Sequence, residues 1–188
     1  METACWLLFV QGVIGAFDTF YYHEWRARLP AGVPGTAPEL QLHAARDFLY
    51  AVLFGTLPWV SWEGLWVWAL VAVIVGEIVL TLWDFVIEVV VRKPLGDVYA
   101  GERVTHAVMG ILYGAMLAFL IPTLVEWRSL PTRLALTSAP LPPFLLWSLS
   151  VMAVGVFLSG VRDLYASFGG PHAAWPWKPL SPDLEPSE

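Results

Sequence analysis

The chain has 188 residues, 57% of them hydrophobic and only 14% charged, with 11 tryptophans. That is too apolar for a soluble domain of this length and marks an integral membrane protein. A formal net charge of −6 argues against a nucleic-acid partner, which needs basic surface to displace counterions, and the lone Cys5 allows no internal disulfide.

Apolar runs of about 20 residues, long enough to cross a bilayer, fall at about 4–22, 42–60, 65–91, 104–125 and 143–161. The expected fold class is all-α: one transmembrane helical domain over 1–168 with five spanning helices. Met1-Glu2-Thr3 lack the basic residues of a signal peptide, so the first run is expected to be retained. His43, Arg46 and Asp47 interrupt the second run and are tolerated there only against other helices. Arg26, Arg28, Arg92, Lys93 and Arg103 gather around the first and third connections, and the loop from Pro58 to Leu65 has no basic residue. This predicts an N-terminus outside and a C-terminus in the cytoplasm, as in a bacterial inner membrane. Trp59, Trp62, Trp66 and Trp68 then form an interfacial belt. Arg162-Asp163 reads as a local salt bridge on a fifth helix packed outside a four-helix bundle, and the proline-rich stretch 169–188 reads as a disordered cytoplasmic tail.

The chain repeats itself, with halves at about 4–60 and 65–125. Glu39-x-x-x-His43-Ala44 and Glu102-x-x-x-His106-Ala107 each lead on to Leu-Tyr, ending at Tyr50 and Tyr113, and upstream lie Gln11, Asp18, Arg26 and Glu77, Asp84, Arg92. Helical periodicity puts Glu39, His43, Asp47 and Tyr50 on one stripe, Glu102, His106 and Tyr113 on another, and Glu77, Asp84 and Glu88 on a third. Depth brings Asp18, Glu39, His43, Asp84, Glu102 and His106 into one leaflet. Two carboxylates about 5 Å apart repel by roughly 3 kcal/mol at an effective dielectric near 20, so protons, arginines or metal ions must neutralise the layer. Two acids and one imidazole per half, Asp18/Glu39/His43 and Asp84/Glu102/His106, suit one divalent cation each. Glu88 is either a further ligand or a partner of Arg92 four residues on. Arg46 and Glu77 are each seven residues deeper than Glu39 and Asp84 and are expected to pair, with Tyr50 and Tyr113 bonding the ligand carboxylates or the Glu77 layer. His23 and Glu24 read as solvated residues at the exit of the first helix.

This arrangement resembles the ferritin-like di-iron and di-manganese carboxylate bundles, in which single acids on two helices join a Glu-x-x-His from each of two others. The chain departs from them in its Glu-x-x-x-His spacing and in using Asp on the first and third helices. The stretches His23 to Pro30 and Leu82 to His106 also resemble an uncharacterised bacterial membrane protein family, from which no function follows. The di-metal resemblance implies two metal ions, iron first and manganese or zinc as alternatives, and an oxidase, hydroxylase or desaturase acting on a hydrophobic substrate such as a lipid or quinone, with a redox partner. Competing readings are b-type haem held between His43 and His106, a small transporter or proton-relay subunit, and a structural subunit. The sequence holds no nucleophile elbow, phosphate loop, Cys-pair metal motif or dinucleotide fingerprint.

Overall fold

The computed structural model describes residues 1–31, 35–137 and 141–177. It is an all-α bundle of five long helices, α1 (Glu2–Asp18), α2 (Ala37–Thr56), α3 (Trp66–Val91), α4 (Ala100–Arg128) and α5 (Pro143–Ser167). Alpha-helix α1 runs on as a π-helix over Thr19–Arg26, and a 3-10 turn follows at Leu29–Ala31. Four spans are long and apolar enough to cross a membrane: Glu2–Ala31, Trp66–Val91, Ala100–Arg128 and Pro143–Ser167. Helix α2 falls outside that set because Glu39, His43, Arg46 and Asp47 crowd its first turns.

Surface and interior have the polarity that a lipid solvent demands. Val79, Leu82, Trp83 and Val86 on α3, Ile111 and Phe119 on α4, and Phe144, Trp147, Val151 and Val154 on α5 all face outward. Asp18, Glu39, His43, Glu77, Asp84, Glu88, Arg92, Glu102 and His106 are buried. In hydrocarbon such groups are stable only when turned toward one another.

Helix α2 packs along α5 and α3, and α1 packs along α4. Helices α3 and α4 touch over a short stretch, and α1 and α2, consecutive in the chain, hardly meet. The repeat halves therefore interleave instead of forming two compact pairs. Lateral packing rests on close approach, since lipid supplies no hydrophobic drive between helices. A Cβ at Gly160 would lie 2.9 Å from the Cβ of Asp47 and 3.1 Å from the carbonyl of Ala44, so only glycine lets α5 sit this close to α2. Asp47 thus lies against α5, and it lines a cavity that His43 and Tyr50 of the same stripe also reach.

By depth the bundle divides in two. One half is a dry core of Leu8, Leu53, Leu57, Leu70, Met116, Leu120, Leu145 and Leu149; the other holds the polar layer. A two-stranded antiparallel ribbon, which sequence patterning did not foresee, closes the dry end: β1 (Val60–Glu63) pairs with β2 (Arg133–Leu136), and Arg133 Nε donates to Glu63 at 2.6 Å. That guanidinium holds the Glu63 carboxyl below its ordinary range.

At the other end, residues 169–177 differ from the expected disordered tail. They form turns, with Ala174 buried, Trp177 Nε1 donating to Glu24 at 3.3 Å and Arg162 Nη2 donating to the Trp175 carbonyl at 2.9 Å. An acid on the π-helix that continues α1 and a base on α5 give this segment polar anchors that its own composition did not reveal. The rest of the expected tail, 178–188, lies outside the described residues.

Candidate metal centre

The polar layer is built from the ends of four helices. Asp18 closes α1, Glu39 and His43 occupy successive turns at the start of α2, Asp84 and Glu88 lie on the last turns of α3, and Glu102 and His106 open α4. A four-residue step places Glu and His on adjacent turns of one face.

The structure brings these groups together in two sets, drawn differently from the sets expected. His106 Nε2 lies 3.1 Å from Asp18 Oδ2, and His43 Nε2 lies 3.3 Å from Asp84 Oδ2. Each imidazole meets the aspartate of the opposite repeat half, because α1 packs on α4 and α3 on α2. Glu39 Oε1 joins the His43 set at 3.9 Å, and Glu88 Oε2 approaches His106 Nδ1 at 3.9 Å.

His23, read from the sequence as solvated, is the member that reasoning missed. Its Nε2 is 3.3 Å from Asp18 Oδ2 and 3.2 Å from Glu102 Oε1. The cause is local: α-helical spacing from Asp18 puts Tyr22 on the inner face, whereas the π-helix bonds i to i+5, as in Ala27 N–H to the Tyr22 carbonyl at 2.8 Å, and turns His23 inward instead. Wide turns of this kind recur at functional sites. Asp18, His23 and His106 present ligand atoms that all lie within 4.8 Å of one another. Neighbouring donors around an ion with bonds of about 2.1 Å are themselves about 3.0–3.4 Å apart, so the observed 3.1 and 3.3 Å fit that spacing.

Two arginines complete the layer. Arg92, fully buried, donates through Nε to Glu39 at 2.6 Å and through Nη2 to Glu102 at 3.0 Å; it bridges the repeat halves and is not the local partner of Glu88. Arg46 Nη1 donates to Asp84 at 2.7 Å. The expected pairing of Arg46 with Glu77 is therefore replaced, because the long guanidinium side chain reaches back toward the layer. Glu77 instead accepts from Thr81 Oγ1 at 2.7 Å. Of the two places expected for them, Tyr50 and Tyr113 take the deeper one: both hydroxyls lie beside Glu77 and not beside the layer's carboxylates, and Tyr50 Oη accepts from Gln11 Nε2 at 3.1 Å. Glu24 is bidentate with Arg162, so the local Arg162–Asp163 pair is also replaced. Asp163 Oδ2 stands 4.0 Å from His43 Nδ1.

The electrostatics leave a deficit of positive charge. Asp18, Glu39, Asp84, Glu88, Glu102 and Asp163 each lie within 4.0 Å of one of the three histidines or of Arg46 or Arg92. Six carboxylates against two guanidiniums leave −4 when all are ionised and the imidazoles are neutral, and −1 when the three imidazoles are protonated. Asp18, Glu39, Asp84 and Glu102 each commit one oxygen to a histidine or arginine and leave the other buried with no hydrogen bond: Asp18 Oδ1, Glu39 Oε2, Asp84 Oδ1 and Glu102 Oε2. A carboxylate left so in the interior is costly unless something of positive charge meets it. Among the described residues, one group has ligand atoms close enough to share a metal ion, Asp18, His23 and His106; Glu39, His43 and Asp84, expected to complete a second site, do not form such a group.

The histidines suit haem less well. The His23 ring centroid is 4.6 Å from that of His43 and 6.4 Å from that of His106, so a third imidazole crowds the pair that haem would need as axial ligands. A cavity of about 520 Å³ between α1, α2 and α5 reaches Asp18, His23 and His43, with Gly12, Gly15, Met152, Gly155 and Val156 among its walls. Comparison with protein families, curated proteins and solved structures finds no match for the chain.

Proposed function

We propose that this protein is an integral-membrane di-metal oxidoreductase, with iron in the carboxylate and histidine layer, acting on a hydrophobic substrate such as a lipid or quinone. All five long helices span a bacterial inner membrane in this reading, N-terminus outside and the polar layer in the cytoplasmic leaflet. The observation that carries it is the free oxygen on each of Asp18, Glu39, Asp84 and Glu102, beside three imidazoles and a net deficit of positive charge. When bound, two such ions supply the one-electron and O₂ chemistry that apolar C–H or ring oxidation needs. The chain's own part is to hold the ions and, through Arg46 and Arg92, to orient the carboxylates.

Metal analysis and an absorption spectrum of the detergent-purified protein test the reading. Near-stoichiometric iron or manganese without a Soret band supports it. A Soret band, or protein that binds no metal on reconstitution with Fe²⁺ or Mn²⁺, overturns it. In the metal-free case three imidazolium ions would balance most of the charge, and a proton-relay role would take its place.

A further inference from the structure

A second polar group lies outside the metal layer, about 10 Å deeper into the bundle by the seven-residue steps from Asp18 to Gln11, Asp84 to Glu77 and His106 to Tyr113. Glu77 is buried at 2% exposure; its carboxylate accepts from Thr81, lies beside the Tyr50 and Tyr113 hydroxyls and, among the described residues, has no cation within 4.0 Å. The Tyr113 hydroxyl and Gln11 Oε1, both more than nine-tenths buried, have no hydrogen-bond partner, nor has Arg46 Nε. All these groups line one cavity of about 280 Å³, together with Ile78, Leu82, Phe85, His106 and Leu117.

That cavity sits in the seam where α3 and α4 barely touch. Its mouth is formed by Leu82 and by Gly110 and Gly114, all exposed on the lipid-facing side. A Cβ at either glycine would meet nothing within 4 Å, so neither glycine is required for helix packing, and what they keep open is the cavity. Unpartnered polar atoms in a lipid-accessible apolar pocket call for a ligand that carries its own polar atoms in from the membrane.

We propose that this cavity binds the ring of a lipid-soluble para-quinone or its quinol. Tyr113 Oη and Arg46 Nε offer donors for a quinone carbonyl, and Glu77 and Gln11 Oε1 offer acceptors for a quinol hydroxyl. Donors and acceptors on one wall suit a group that exists in both forms. A phospholipid headgroup would set its phosphate against Glu77, and the volume suits one small ring system better than a pair of acyl chains. His106 lines this cavity as well as the metal layer, which would place the ring beside that layer. The inference deepens the di-metal reading by naming its substrate class, yet the binding itself needs no metal.

The test is equilibrium binding of ubiquinone-1 and of menadione to metal-stripped full-length protein in micelles, against empty micelles. Saturable binding is expected at one site for at least one of the two. Tyr113→Phe and Glu77→Gln should each weaken it about tenfold. Gly114→Phe or Gly110→Leu, which fill the cavity, should abolish it, while Gly155→Phe, in the other cavity, should leave it intact. Helicity and elution volume confirm that each variant folds. No saturable binding, binding that survives both glycine variants, or binding lost only in Gly155→Phe overturns the proposal. Protein that takes up no metal on reconstitution with Fe²⁺ or Mn²⁺ yet binds quinone at this cavity would overturn the di-metal reading alone.

Discussion

The imidazole rings of His23 and His43 stack in parallel, 4.6 Å between centroids and 10° between planes, although one belongs to the first repeat's opening helix and the other to its second. Each ring turns an Nε2 to its own acids: His23 to Asp18 and Glu102, His43 to Asp84 and Glu39. The stack is where the two sets adjoin. His23→Ala is therefore expected to lower metal affinity by more than the 10–100-fold that removing an outer partner typically costs, as are His43→Ala and His106→Ala. His172→Ala, on the exposed surface, should retain full metal. Metal content after dialysis against a graded chelator measures this, and equal retention by His23→Ala and His172→Ala would remove His23 from the site.

Arg92 ties Glu39 to Glu102 in the fully buried interior. Replacing it with methionine strands two carboxylates and should destabilise the metal-free protein by about 3–5 kcal/mol. The triple variant Arg92→Met, Glu39→Gln, Glu102→Gln should recover much of that loss. Thermal unfolding in detergent reads both, and a triple variant no better than Arg92→Met would show that the charge is not the cause.

Arg46 meets Asp84 at 2.7 Å. A double-mutant cycle of Arg46→Met with Asp84→Asn should show coupling of about 1–3 kcal/mol, within the range for contacting residues. The same cycle with Glu77→Gln should be closer to additive. Stronger coupling to Glu77 would restore the pairing that depth alone suggested.

Gly64 has φ +60°, and a Cβ there would fall 2.5–2.7 Å from Thr132 backbone and side-chain atoms. Gly64→Ala should therefore cost about 1–3 kcal/mol, loosening the β1–β2 ribbon without touching metal content. Hydrogen exchange at Ser61 and Trp62 would report it, and unchanged protection would contradict the close approach.

The helices and the polar layer were legible in sequence because bilayer-length apolar runs announce themselves and an acid or histidine inside one has few places to go but inward. Asp18, Glu39, His43, Asp84, Glu102 and His106 meet in one layer for that reason. Which of them touch was decided by tertiary packing. Periodicity assigns a side chain to a face of its own helix and says nothing of which helix that face meets, so the interleaving of α1 with α4 and α3 with α2 exchanged the aspartates between the histidines. His23 was hidden by a change of helical period at Thr19 that no apolar pattern records. Arg46 and Arg92 chose their acids by the reach of long side chains, a freedom that residue depth does not constrain. The seam between α3 and α4, with Gln11 Oε1 left without a hydrogen bond inside it, exists only in three dimensions, because a cavity is a property of neighbours and not of any one segment.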